Sequence, residues 1–113
     1  MQTLRAVLGA ALVVLMQGNS ADAETNATTF ASRAQQAMDT MMIAMASTKP
    51  GDVDRQFVAM MVPHHQGAID MALAELRFGR VPRLQRIAQG IVIEQQAEIA
   101  AMRLALKRQG GAR

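Results

Sequence analysis

Apolar residues recur along this chain at helical intervals and nowhere alternate with period two. The pattern therefore predicts helices and no strand. From Thr29 to Ser47, Met38, Met41, Met42 and Met45 form one stripe, which Phe30 and Ala34 extend. The preceding Glu24 to Thr28 is polar and is expected to fray, with Thr28 or Thr29 capping the first turn. Lys49-Pro50-Gly51 is a breaker. Asp52 or Asp54 suits the start of a second helix running to about Phe78, with Gly79 as a left-handed residue past its end. Pro82 fits the first turn of a third helix, which reaches about Arg108 and stops at Gly110-Gly111. Its stripe is Leu84, Ile87, Ala88, Ile91, Ile99, Met102 and Leu106. The fold expected is all-α, a three-helix up-down bundle whose second helix is kinked at Pro63, where the proline offers no N–H to Ala59 and crowds its carbonyl.

The second helix carries the densest chemistry: Met60, Met61, His64, His65 and Met71 lie within a dozen residues. On a helix, residues three and four apart share a face and neighbours diverge by about 100°. His64 then lies over Met60 and Met61, with Met71 about two turns further along that side. His65 lies over Met61, so Met61 is the side chain placed to reach both imidazoles. On the third helix, Gln95 and Glu98 interrupt the apolar stripe. A carboxylate there needs a partner, because burying it unpaired is costly. A histidine N–H from the second helix is the natural one, since a ligand imidazole is usually held by a carboxylate through its other nitrogen. The alternative is that Glu98 reaches past the core edge into water.

The N-terminus changes the picture of where the chain works. Met1 to Arg5 is positive, Ala6 to Met16 is apolar, and Ala21-Asp22-Ala23 is a small-residue cleavage site. This is the layout of a secretory signal peptide, and its apolar run is short for a bilayer span. Residues 1–23 are read as the signal and residues 24–113 as a single helical domain. The expected location is periplasmic or secreted, with no membrane attachment after cleavage. The sequence contains no cysteine, so disulfide stapling is excluded and methionine is the only soft ligand. The formal net charge is +3, with scattered basic residues and neither Tyr nor Trp, which gives nucleic-acid binding no support.

Methionines at helical spacing commonly fill cores, because the side chain adapts to irregular gaps. Two adjacent histidines flanked by methionine point instead to metal. Thioethers suit Cu(I), imidazole suits Cu(I), Cu(II) and zinc, and hard oxygen donors are sparse here. Copper is the expected metal, with zinc second for want of cysteine or a His-Glu-x-x-His arrangement. Catalysis lacks its motifs. None of Glu75, Glu94 or Glu98 has a histidine three residues on, as a di-iron bundle requires, and no serine stands in a nucleophile elbow.

The run Asp54-x-x-Phe57-x-x-x-Met61-Val62-Pro63-His64-His65-Gln66-Gly67-Ala68-Ile69-Asp70-Met71-Ala72 resembles the signature of the family called domain of unknown function 305. Ala88-x-x-Ile91-x-x-x-Gln95-x-x-Glu98-Ile99-x-x-Met102 resembles its second block. The resemblance spans about residues 30 to 108. It implies an exported, helical, ferritin-like protein, and some such proteins bind periplasmic copper. By position it implies Met61, His64, His65 and Met71 as functional residues, faced by Gln95, Glu98 and Met102. Met42 stands where the family often has a histidine, and the chain has one His-His motif where longer members have two.

The expected function is copper binding, as buffer or chaperone, through His64, His65, Met61, Met71, Met60, Met38, Met41, Met45 and Met102, with Glu98 and Gln95 behind them. The competing expectation is a helical interaction module with a methionine-rich face. Three helices leave that stripe partly open, so a homodimer, with or without metal, is the expected assembly.

Overall fold

The computed structural model describes residues 2–49 and 51–111, with side chains from residue 20 onward. Among these residues there are three helices and no strand: α1 (Gln2–Ala46), α2 (Val53–Phe78) and α3 (Pro82–Gly110). The side chains of the apolar run read as a signal, and Pro50 of the breaker, lie outside the described residues. Among the described residues no helix is long and apolar enough to cross a membrane.

Two helix boundaries follow the sequence. Asp52 is the N-cap of α2, its carboxylate accepting the Arg55 N–H at 3.0 Å. Pro82 opens α3, where its missing N–H costs no helical bond. Two other expectations are corrected. α1 does not begin at Thr28 or Thr29, and the stretch before them is helical. The Thr28 and Thr29 hydroxyls donate to the carbonyls of Glu24 and Thr25 at 3.0 and 2.8 Å, bonding back along the helix instead of capping it. Gly79 is also not left-handed, with φ −71° and ψ 158°. Its N–H donates to the Glu75 carbonyl at 2.7 Å, and a Cβ would lie 2.6 Å from that same oxygen and closer still to the Glu75 carboxylate. Close approach, not handedness, is what a side chain at Gly79 would violate.

The helices run antiparallel, with α2 in the middle. Arg33 of α1 stacks at 5.8 Å on Phe78 near the end of α2, while Met41 of α1 lies against Gly67. Across the other seam, His65 of α2 meets Glu98 of α3. α1 and α3 make no close approach to each other. The trace measures 25 Å across and only 13 Å through, the dimensions of a layer one helix deep.

The core of such a layer is confined to its two seams. Among the described residues its buried apolar side chains are Ala37, Ile69, Ala72, Ala74, Ala88 and Ile99, and no large one is fully buried. Small residues dominate because they let the helix axes come close. At Gly67 the approach is tightest: a Cβ there would lie 3.2 Å from the Met41 sulfur. Leu84 and Ile87, expected in the α3 stripe, are instead exposed, since the α2–α3 seam admits only a narrow strip of each helix.

Candidate functional site

Contacts across the seams fix which way each face of α2 points. His65, Ile69 and Ala72 share the side toward α3, whereas Pro63, Gly67, Asp70 and Ala74 share the side toward α1. Helical periodicity then places Phe57, Met60, His64 and Met71 together on one broad face of the layer. Val62, Gln66 and Leu73 lie on the other. The second face is polar, with a groove between α1 and α2 lined by Arg33, Gln36, Thr40, Asp70 and Arg77. Met38, Met42 and Met45 of α1 lie on the methionine side, opposite that groove in the helical turn.

The two histidines therefore differ in surroundings. His64 is exposed on the methionine face. His65 is only 6% exposed, and its Nε2 and a Glu98 carboxylate oxygen lie 2.5 Å apart. Glu98 thus has the histidine partner its position in the stripe called for, and that partner is His65. The carboxylate itself reaches the edge, its side chain being 59% exposed. The other ring nitrogen of His65, Nδ1, is buried with no hydrogen-bond partner. An orphaned polar atom inside a protein is uncommon and costs free energy unless something binds it. The His64 and His65 ring centroids are 6.1 Å apart with the planes inclined at 60°.

Antiparallel register, counted from the His65–Glu98 contact, sets Met102 of α3 level with Met61 of α2. Both are half-buried, on the same side of the seam and one turn from His65. Side chains on a helix lean toward its N-terminus, which carries the His65 ring toward that level. Met61, Met102 and His65 thus share one seam within about a turn of each other. Gln95 lies one turn the other way.

The remaining candidates are spread out. Met41 is in the opposite seam, against Gly67, with α2 between it and His65. Counted from that contact, Met38 is near the level of Met71, and Met45 is near the level of Pro63. Met60 and Met71 are about 16 Å apart along the axis of α2, too far to hold one ion. Among the described residues no three His, Cys, Asp or Glu side chains gather as a metal cluster, so a site here depends on thioether sulfur. Sequence reasoning did not find the Met61–Met102 pairing by level, because seam register depends on which residues are small enough to touch. It also missed the Arg33 guanidinium, 5.8 Å from the Phe78 ring, which ties α1 to the end of α2, where Arg77 of α2 itself lies 5.5 Å from the same ring.

No curated protein matches the chain. A family model described as Domain of unknown function (DUF305) matches residues 1–106, nearly the whole sequence. The paired histidines after Pro63 and the Gln95, Glu98 and Met102 positions facing them thus have their family: the chain belongs to the domain of unknown function 305 family.

Proposed function

We propose that this protein is an exported copper-binding protein, serving as a buffer or chaperone, with its principal site in the α2–α3 seam. The observation that carries the reading is His65, a buried imidazole whose Nε2 is held by Glu98 while Nδ1 has no partner. This is how a metal-ligating histidine is prepared: the carboxylate fixes the ring and the tautomer and leaves the other nitrogen's lone pair for the ion. Met61 and Met102 supply thioether sulfur beside it, a donor set that favours Cu(I) over harder ions, with zinc second. His64, its ring adjacent to that of His65, is a further donor within side-chain reach. Met60, Met71, Met38 and Met45 would serve as weaker capture positions along the face, and Met41 as packing.

Two finer features of the fold belong to this reading. The ferritin-like character that the family resemblance implies would lie in metal ligands drawn from facing helices. Pro63 leaves the Ala59 carbonyl without its helical donor, and a bend there would let the His64–His65 turn adjust to an ion. No residue is assigned a catalytic role. The test is anaerobic Cu(I) titration of the purified chain against a competing chelator, with zinc in parallel. Tight one-to-one Cu(I) binding lost in His65→Ala supports the reading. Binding no tighter than that of a scrambled methionine-rich helix, or a preference for zinc, refutes it.

A further inference from the structure

The layer is covered on neither side, yet its two faces differ in a way that points to one occupant for the methionine face. Of the exposed large apolar residues, Met38, Met42, Phe57, Met60, Met71, Leu84 and Ile87 lie on that side by helical periodicity. Charge is mixed on both faces: Asp70 joins Arg33, Arg55, Arg77, Arg103 and Lys107 on the polar face, and Arg83 joins Glu75, Glu94 and Glu98 on the methionine face.

We propose that the methionine face docks on the same face of a second copy of this chain, forming a two-layered dimer in which the two His64 side chains meet. Three observations carry it. The first is area. A face 25 Å wide over the 26 residues of α2 amounts to about 1,000 Å² per copy, above the ~800 Å² per partner of a standard stable interface. The second is need. Among the described residues no large side chain is fully buried, so the folded layer gains from a cover, and its own copy is the partner always at hand.

The third is self-complementarity. Rotation about a two-fold axis parallel to the helices lays α2 on α2 and α3 on the partner's α1. Ile87 and Ile91 then stand over Ala31 and Ala34, bulky on small. Glu94 and Glu98 fall beside methionines and not over each other, so no like charges oppose, and the closed dimer must leave the Glu94 carboxylate a path to water. Ala68, on the α2 face between His64 and Met71, lets the two central helices come close. The two His64 imidazoles approach the axis at one level, where they can share a copper ion. That last element rests on the copper reading above, whereas the docking does not.

The absence of native cysteine makes the test direct. Ala68→Cys introduces one thiol at the centre of the proposed interface, and Gln66→Cys introduces one on the opposite face. With metal chelated and mild oxidant added, Ala68→Cys is expected to run as a covalent dimer and Gln66→Cys as a monomer. Sedimentation of the unmodified chain at micromolar concentration should give a two-chain mass. Cu(I) should lower the concentration at which the dimer dissociates, and His64→Ala should abolish that shift while leaving the metal-free dimer intact. A one-chain mass at every concentration, or cross-linking no faster at Ala68→Cys than at Gln66→Cys, overturns the docking. A copper-induced shift that survives His64→Ala overturns the His64 contact. A single-chain species that still binds copper removes this proposal and leaves the function standing. A cross-linked dimer that binds no copper does the opposite.

Discussion

Adjacent histidines at the centre of α2 do different things because a helix turns about 100° between them. His65 is carried into the seam and His64 onto the open face, so substitutions should separate their roles. Glu98→Gln keeps an acceptor for the imidazole but removes the charge that orients it. It should weaken Cu(I) affinity by about 10- to 100-fold, as loss of such partners does elsewhere, with little change in apo stability because Glu98 is largely exposed. Competition titration and a melting curve on the same sample check both halves. Met61→Leu keeps volume and apolarity, so packing alone predicts less than about 1.5 kcal/mol of lost stability and unaltered metal affinity. The seam site predicts near-normal apo stability and clearly weaker Cu(I) binding. Protons compete for a ligating imidazole and not for thioethers, so copper affinity should fall as pH drops from about 7 to 5, and His65→Ala should flatten that dependence. A parent chain whose affinity ignores pH would assign the ion to sulfur alone.

At the scale of the elements, the close contact of α1 with α2 turns on Gly67. A side chain there meets Met41, whose own Cβ, fixed to the α1 backbone, would lie 3.4 Å from the added Cβ. Gly67→Leu should therefore cost about 1–3 kcal/mol by forcing the two helices apart. Gly90, inside α3 with nothing within 4 Å of an added Cβ, is the matched control. Gly90→Ala should stabilise the protein by about 0.5–1 kcal/mol through helix propensity alone. Urea melts of the two variants measure the difference. The helices, the Asp52 cap and the Pro82 start were legible in the sequence because each depends on residues a few positions apart. For Glu98 two readings were legible, a histidine partner and a reach into water, and the structure has both: the contact with His65 and a carboxylate that is largely exposed. The Thr28 and Gly79 expectations failed for a common reason. Each residue has two local hydrogen-bonding or steric solutions: at Thr28 the continuing helix selected the back-bonded one, and at Gly79 the chain left the helix extended instead of left-handed. The exposure of Leu84 and Ile87 was not legible, because a stripe says which face is apolar and not whether anything covers it.

For the whole molecule, a one-helix-deep layer whose buried residues are mostly alanine has little apolar burial to set against chain entropy. The metal-free protein should be of marginal stability, and ligand binding should be plainly visible in its melting. Free Cu(I) at a hundred times its dissociation constant adds about 2.7 kcal/mol, which for a domain of this size raises Tm by roughly 10–20 °C. Calorimetry under anaerobic conditions reads this directly, and a Tm unmoved by saturating Cu(I) would contradict any site on the folded chain.

That α2 packs on both neighbours while, among the described residues, the backbones of α1 and α3 stay apart makes the molecule a short linear array, like three units of a repeat protein. Each end helix is coupled to the rest through a single seam, so either can peel away without first disturbing the other. Amide hydrogen exchange should accordingly protect α2 most strongly, with α1 and α3 opening as separate cooperative units. The proposed seam site would lie at one of these openings. Detachment of α3 would part Met102 from Met61 and take Glu98 away from His65. If the ion is held there, the opening of α3 offers a route by which it could be handed to another protein.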